Sequence, residues 1–459
     1  MKPIHTYGQI YFVGIGGIGM SALARFFKYA GKEVAGYDKV ETPLTKALQN
    51  EGISVHYEDL GADLPVAFKD CQSTLVVYTP AIKQLDELAY FQQAAFTILK
   101  RAEVLGALTR TFQGLCVAGT HGKTTTSSLL AHLLTELGTG CTAFLGGIAS
   151  NFDSNLVLHP SSPYAVIEAD EFDRSFLQLA PFAAIVTAAD PDHLDIYGTA
   201  ASFLEGFRQF TMRIDPKGFC IQKEGLSLDS LAPSVTYAIE SNSANYALHH
   251  LRFEGGYQVA DLRIGDQEYS DIIFGLPGIH NAENALACVA LLHQLGFEIA
   301  DLRAALKSFK GVKRRFEYHV RSQELIYIDD YAHHPKEIDA LLSSVRAMYP
   351  ELPLIGIFQP HLFSRTKDFA SEFAASLSKL DALFLLPIYP ARELPIPGVS
   401  SEWLCELAAC DSKQVLAPHE VLSALKDLSR GVVLTIGAGD IDRLVDPLKQ
   451  VLQMQIQTT

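Results

Sequence analysis

Two stretches of this chain carry residue types whose spacing suits chemistry on phosphates. The run Gly119-Thr120-His121-Gly122-Lys123-Thr124-Thr125 follows the apolar segment Leu115–Ala118. A glycine-rich turn after a strand points backbone N–H groups at an anion, a lysine neutralises β- and γ-phosphate oxygens, and a threonine hydroxyl reaches Mg²⁺. The run departs from the standard P-loop in having Val117 where a glycine is usual, but it keeps the Gly-Lys-Thr core. It is therefore expected to bind ATP. The second stretch is Glu168-Ala169-Asp170-Glu171 with Asp192-His193-Leu194-Asp195, each after an apolar run. Taken singly, an acidic residue at a strand end is a solvated turn and a lone histidine is structural. Beside a phosphate loop, the carboxylate of Glu168, the imidazole of His193 and the hydroxyl of Thr124 form a candidate Mg²⁺ ligand set.

Five further motifs are more open. Gly14-Ile15-Gly16-Gly17-Ile18-Gly19, with Ser21 just inside the following helix and Asp38 at the end of the next apolar run, fits a dinucleotide loop. The same scaffold suits a UDP-sugar, and a plain tight turn is the competing reading. Asn281 and Asn284 lie three apart at a helix start, where an asparagine is either a cap or a partner for an adenine edge. In Lys310–Phe316 the basic run is either a solvated face or the source of an arginine, Arg315, for a transferred phosphate. Asp329–Pro335, with Asp330, Tyr331 and His333, and Gln359–Thr366, with His361 and Arg365, both follow strand-like runs, where α/β sheets present ligand loops as well as ordinary caps.

Placing these loops requires strands that alternate with helices. Short apolar runs (QIYFV, EVAGYD, TLVVYTP) separated by helical stretches predict βα units from the start of the chain. The expected class is α/β with three domains: a Rossmann-like domain over residues 1–110, a P-loop-type central ATPase domain over 111–312 with added antiparallel strands, and an α/β domain over 313–459. Within the central segment, alternation after Phe219 punctuated by EGGY and IGDQE predicts antiparallel hairpins. A length of 459 residues agrees with about three domains at roughly 150 residues each.

Composition narrows the class. A formal charge of -15 argues against a nucleic-acid or anionic-membrane surface, since both are polyanions. No apolar stretch is long enough to span a bilayer, and the start lacks the pattern of a signal peptide. The seven cysteines show no metal-type spacing and read as reduced core thiols, which predicts a cytoplasmic location. A monomer or weak homodimer is expected.

Together and in this order, GIGGIGMS, AGTHGKTTT, EADE, DHLD, GIHNAENALA, GVKRRFE, DDYAHHP, FQPHLFSRT and IYPARELPIPG resemble the Mur ligase family of ATP-dependent amide-bond-forming enzymes over essentially the whole chain. The resemblance implies that L-alanine is joined to the lactyl carboxylate of UDP-N-acetylmuramate through an acyl phosphate, with ATP and Mg²⁺. It further implies Lys123 on the β/γ-phosphates, Thr124 and Glu168 on one Mg²⁺ and His193 on a second. Asn281 and Asn284 would face adenine, Arg315 the transferred phosphate, and Asp330 and Tyr331 the nucleotide. Gly14, Gly16, Gly17, Ile18, Gly19, Ser21 and Asp38 would hold the UDP-sugar, and His333, His361 and Arg365 the amino acid. Two positions depart from the family pattern: Leu362 stands where an arginine is usual, and Tyr78–Ala81 lacks an expected serine. The alternatives are a ligase that adds a murein tripeptide to the same sugar nucleotide, an NAD-dependent oxidoreductase read from the first glycines alone, and a P-loop switch.

Overall fold

The computed structural model describes residues 2–458 apart from 80, 81, 83, 192, 193 and 392. Three sheets succeed one another along the chain. The first has five parallel strands, ordered Ser54–His56, Glu33–Tyr37, Gln9–Val13, Thr74–Tyr78, Thr97–Lys100. Gln9–Val13 is covered on both faces, which is why its sequence is a continuous apolar run and does not alternate. The helix Ile18–Tyr29 buries Met20, Leu23, Ala24 and Phe27, one stripe at helical spacing. Strand order reverses beside Gln9–Val13, so the glycine loop that follows it lies at the position where such sheets bind ligands.

The second sheet has ten strands with Gln113–Ala118 near its centre, flanked in parallel by Tyr164–Ala169 and Ala183–Val186. All three carry their C-terminal ends to one edge, and the phosphate loop, Glu168 and the segment after Val186 therefore meet there. The helix Lys123–Glu136 buries every residue from Thr125 to Leu134, which explains its run of small Thr and Ser side chains among leucines. The expectation of hairpins after Phe219 stands at the two turns it named, EGGY and IGDQE, and needs correction for the strands before them. Cys220–Lys223, Ser234–Ile239 and Tyr246–Glu254 pair in parallel. Each is reached by a connection long enough to return the chain to the same end of the sheet. Only the last two turns, at Gly255-Gly256 and Gly265-Asp266, join sheet neighbours Tyr246–Glu254, Tyr257–Ile264 and Gln267–Phe274 through links too short for a parallel crossover.

The third sheet has six strands, with Glu317–Arg321 antiparallel to Leu325–Asp330 and the rest parallel. By compactness the chain divides into two units. One comprises residues 1–252, 259–275 and 283–310 and holds the first two sheets, whose cores run together through contacts such as Phe26 on Phe144, ring centroids 5.4 Å apart. The other comprises residues 253–258, 276–282 and 311–459 and has its own core around Tyr327, Ile357, Val433 and Leu448. All seven cysteines are free thiols and six are buried, in keeping with the reading from composition. Among the described residues no helix is long and apolar enough to cross a membrane.

Candidate active site

The phosphate loop begins where Gln113–Ala118 ends. Thr187, at the end of the neighbouring strand, donates its hydroxyl to the carbonyls of Ala118 and His121, while Thr120 N–H donates to Ala188 O at 3.2 Å. These bonds hold the turn open without using the N–H groups at the helix start. Gly122 has φ +81°, and a Cβ there would lie 2.6 Å from Asn284 Oδ1, so conformation and space both require glycine. Asn284, which the sequence placed at a helix start, thus lies directly against the loop.

Lys123 opens the helix. Its Nζ donates to Gly119 O at 2.7 Å and to both oxygens of Glu171 at 2.9 and 2.7 Å. Burial works against the ammonium charge, but the carboxylates of Glu171, Glu168 and Asp170 outweigh it and hold the lysine pKa above its ordinary value. Thr124 Oγ1 donates to Glu168 Oε1 at 3.2 Å. A hydroxyl and a carboxylate this close are a hard-oxygen pair of the kind Mg²⁺ takes, so the donors present fit that ion. His193, the other expected ligand, lies outside the described residues.

At the first sheet, Gly16 N–H donates to Asp38 Oδ2 at 2.7 Å. Here Asp38 buttresses the glycine loop from below. Ser21 donates to Ile18 O and receives Asn155 Nδ2 at 2.9 Å; Asn155 in turn accepts from Arg25. Arg101 lies so close over Gly19 that a Cβ there would collide with its guanidinium, and it reaches Asp170 at 3.5 Å. Sequence reasoning missed Asn155, Arg101 and Glu171, because each acts through a partner far away in the chain.

The second unit gathers its own cluster. Asp330 ends the strand Leu325–Asp330 and accepts from Phe316 N–H at 2.7 Å and Ala332 N–H at 2.8 Å. Arg315 stacks over Tyr331 with its guanidinium carbon 4.8 Å from the ring centroid. Arg314, the other arginine of that run, pairs with the buried Asp329 at 3.1 Å and serves the fold. His333 and His361 have ring centroids 6.2 Å apart, Arg365 reaches His361 Nδ1 at 3.3 Å, and Tyr389 stacks on His361. The three residues expected to bind the amino acid therefore converge. Burial, joined by Arg365, pushes His361 down to about 4, and burial lowers His333 as well, so both rings are neutral at pH 7. Leu362 adopts φ +72° at the start of the helix Phe363–Asp368, a backbone region costly for a side chain of its size. Asn281 donates Nδ2 to Pro277 O at 2.6 Å, which ties the helix start to the segment before it.

Desolvation raises Asp330 from 3.8 to about 6, against the attraction of Arg315. The folded carboxyl therefore holds its proton more firmly than the unfolded one. Its favourable contribution to stability is complete below pH 3.8 and is lost as pH rises through about 6. The melting temperature of the protein relative to Asp330→Asn is expected to fall across that interval. A difference that grows with pH would show a carboxylate stabilised as the anion.

A phosphate loop with lysine, hydroxyl and carboxylate converging at one sheet edge, in a chain of three α/β sheets, is the arrangement of a P-loop nucleotide-binding protein. Family models for the Mur ligase family catalytic domain, the Mur ligase middle domain and the Mur ligase glutamate ligase domain match residues 9–113, 117–292 and 314–441. The chain belongs to the Mur ligase family. It is 48% identical to the UDP-N-acetylmuramate–L-alanine ligase of Parabacteroides distasonis over 99% of both chains. With the enzyme of that name from Flavobacterium psychrophilum it shares 46% identity over 98% of this chain and 99% of that one. The crystal structure of UDP-N-acetylmuramate–alanine ligase from Thermotoga maritima superposes with a TM-score of 0.83 at 28% identity, covering 97% of this chain and 99% of the other. The oxidoreductase alternative, read from the first glycines alone, does not survive ligase-family membership across all three segments.

Proposed function

We propose that this protein joins L-alanine to the lactyl carboxylate of UDP-N-acetylmuramate with conversion of ATP to ADP and phosphate, a step in building the peptidoglycan precursor. The observation that carries this reading is end-to-end similarity, at 48% identity, to an enzyme of that name. In the reaction the substrate carboxylate attacks the γ-phosphorus, the β–γ bridging oxygen leaves with ADP, and an acyl phosphate forms. The alanine amine then attacks the acyl carbon, loses a proton, and phosphate departs.

The residues suit that chemistry, because phosphoryl transfer needs positioning and charge neutralisation more than a protein nucleophile. Lys123 neutralises the β/γ oxygens, and the turn Gly119-Thr120-His121-Gly122 with Thr125 wraps the phosphates by backbone N–H groups. Thr124 and Glu168 would hold Mg²⁺, with His193 on a second ion; bound there, the metal supplies charge neutralisation on the phosphate oxygens. Asn284, Asn281, Asp330 and Tyr331 are assigned to the nucleotide and Arg315 to the transferred phosphate. The loop from Gly14 to Gly19, with Ser21, is assigned to the sugar nucleotide; Asp38 takes part through its bond to Gly16. His361, Arg365 and His333 are assigned to alanine, where Arg365 is a cation for its carboxylate in a chain that has Leu362 beside it. A monomer or weak homodimer is expected, and a reaction that consumes ATP and a nucleotide sugar is assigned to the cytoplasm.

The test is phosphate release with ATP, Mg²⁺ and UDP-N-acetylmuramate, comparing L-alanine, L-serine, glycine and the L-Ala-D-Glu-diaminopimelate tripeptide. Release that requires both the sugar nucleotide and L-alanine is expected. Release with the tripeptide alone would move the protein to a peptide-adding reaction, and release without an acceptor would end the ligase reading.

A further inference from the structure

An ammonium has three hydrogens to donate, and in this structure Lys123 has given all three away: one to Gly119 O and two to the carboxylate of Glu171. A phosphate oxygen arriving at Lys123 must therefore displace an existing acceptor. Glu171 is buried and its backbone is held. It is only 2% exposed, its carbonyl accepts from Tyr197 Oη at 2.6 Å and from Arg174 N–H at 3.0 Å, and Phe176 N–H fixes the preceding carbonyl. Phe176 is itself locked among Phe207 and Phe210, ring centroids 5.3 and 5.0 Å away. The more accessible partner is the lysine, whose side chain is 14% exposed against 2% for Glu171. The exchange is thus one in which Lys123 swings between a fixed carboxylate and a phosphate.

We propose that Glu171 is a positioning residue that holds Lys123 when no nucleotide is bound, yields it to the phosphates of ATP, and retakes it so that ADP can leave. The inference rests on the reading of Lys123 as a phosphate ligand. A fixed carboxylate beside a phosphate site weakens ground-state binding, both by competing for the lysine and by repelling the anion. Such a group is useful only if nucleotide must also depart. An uncompensated ammonium in this crevice would grip product as firmly as substrate, and tight uniform binding does not speed turnover.

Glu171→Gln keeps the shape and removes the competing charge. It is expected to bind ADP about tenfold more tightly than the unaltered protein, the scale of one charge-assisted hydrogen bond. KM for ATP and kcat should fall together as ADP release becomes limiting. Glu171→Asp, which keeps the charge but shortens the reach, should lie between the two. Calorimetric titration with ADP, alone and with Mg²⁺, together with steady-state kinetics and melting curves, decides the matter. If the unaltered protein binds ADP and a folded Glu171→Gln binds it equally or more weakly, the exchange is wrong while the lysine assignment stands. If neither binds ADP, the nucleotide reading falls and takes the proposal with it. Should Glu171→Gln fail to fold, Glu171→Asp is judged by the same comparison, and failure of both to fold would make the pair a structural necessity and overturn the proposal.

Discussion

Replacing Lys123 by methionine is expected to lower kcat for ligation by about a thousandfold, the scale seen when one preorganised charge-stabilising donor is removed. The loss has two parts that can be separated. Lys123 is the partner of Glu171, which is 2% exposed. Removing one member of a buried ion pair strands the other, at a cost to stability of about 3–5 kcal/mol. Lys123→Met alone should therefore melt at a lower temperature as well as turn over slowly. Adding Glu171→Gln removes the stranded charge, so the double variant is expected to recover most of the lost stability and none of the lost rate. Denaturant midpoints and phosphate release on the two variants separate these effects. A single variant that keeps a tenth of the rate would remove Lys123 from the reaction.

Glu168→Gln is expected to reduce kcat by about a hundredfold and to raise the Mg²⁺ concentration needed for half-maximal rate. Thr124 Oγ1 donates to Glu168 Oε1 at 3.2 Å, and a glutamine oxygen can still accept there. The loop geometry should survive, and ADP binding without Mg²⁺ should change little. What is lost is the charge that makes the oxygen a good ligand for a hard cation. A Mg²⁺ titration of initial rates is the relevant measurement. An unchanged Mg²⁺ requirement with a reduced rate would assign Glu168 to loop geometry and leave the metal to other residues.

The sequence alone determined those parts of the protein that depend on backbone conformation and near neighbours. Gly122, Lys123 and Thr124 stand out because a turn at positive φ, a cation and a hydroxyl in that local order suit a phosphate. The three runs of strand-helix alternation likewise appear as three sheets, since apolar periodicity is a local property. His361 and Arg365 share one turn of chain and stay together.

Tertiary structure decided what depends on which strand lies beside which. The sheet order sets Tyr164–Ala169 next to Gln113–Ala118, which brings Glu168 to Thr124 and carries Glu171 round to saturate Lys123. No spacing in the sequence announces that Glu171, three residues beyond the expected ligand, is the lysine's partner. The same holds for Asn155 on Ser21 and Arg101 over Gly19, contacts between residues far apart in the chain. It also holds for the parallel pairing of Cys220–Lys223, Ser234–Ile239 and Tyr246–Glu254, where alternation reads alike for either direction. Side-chain periodicity reports which face of a strand is buried and is blind to the direction of its neighbour, so those choices belong to the packed molecule.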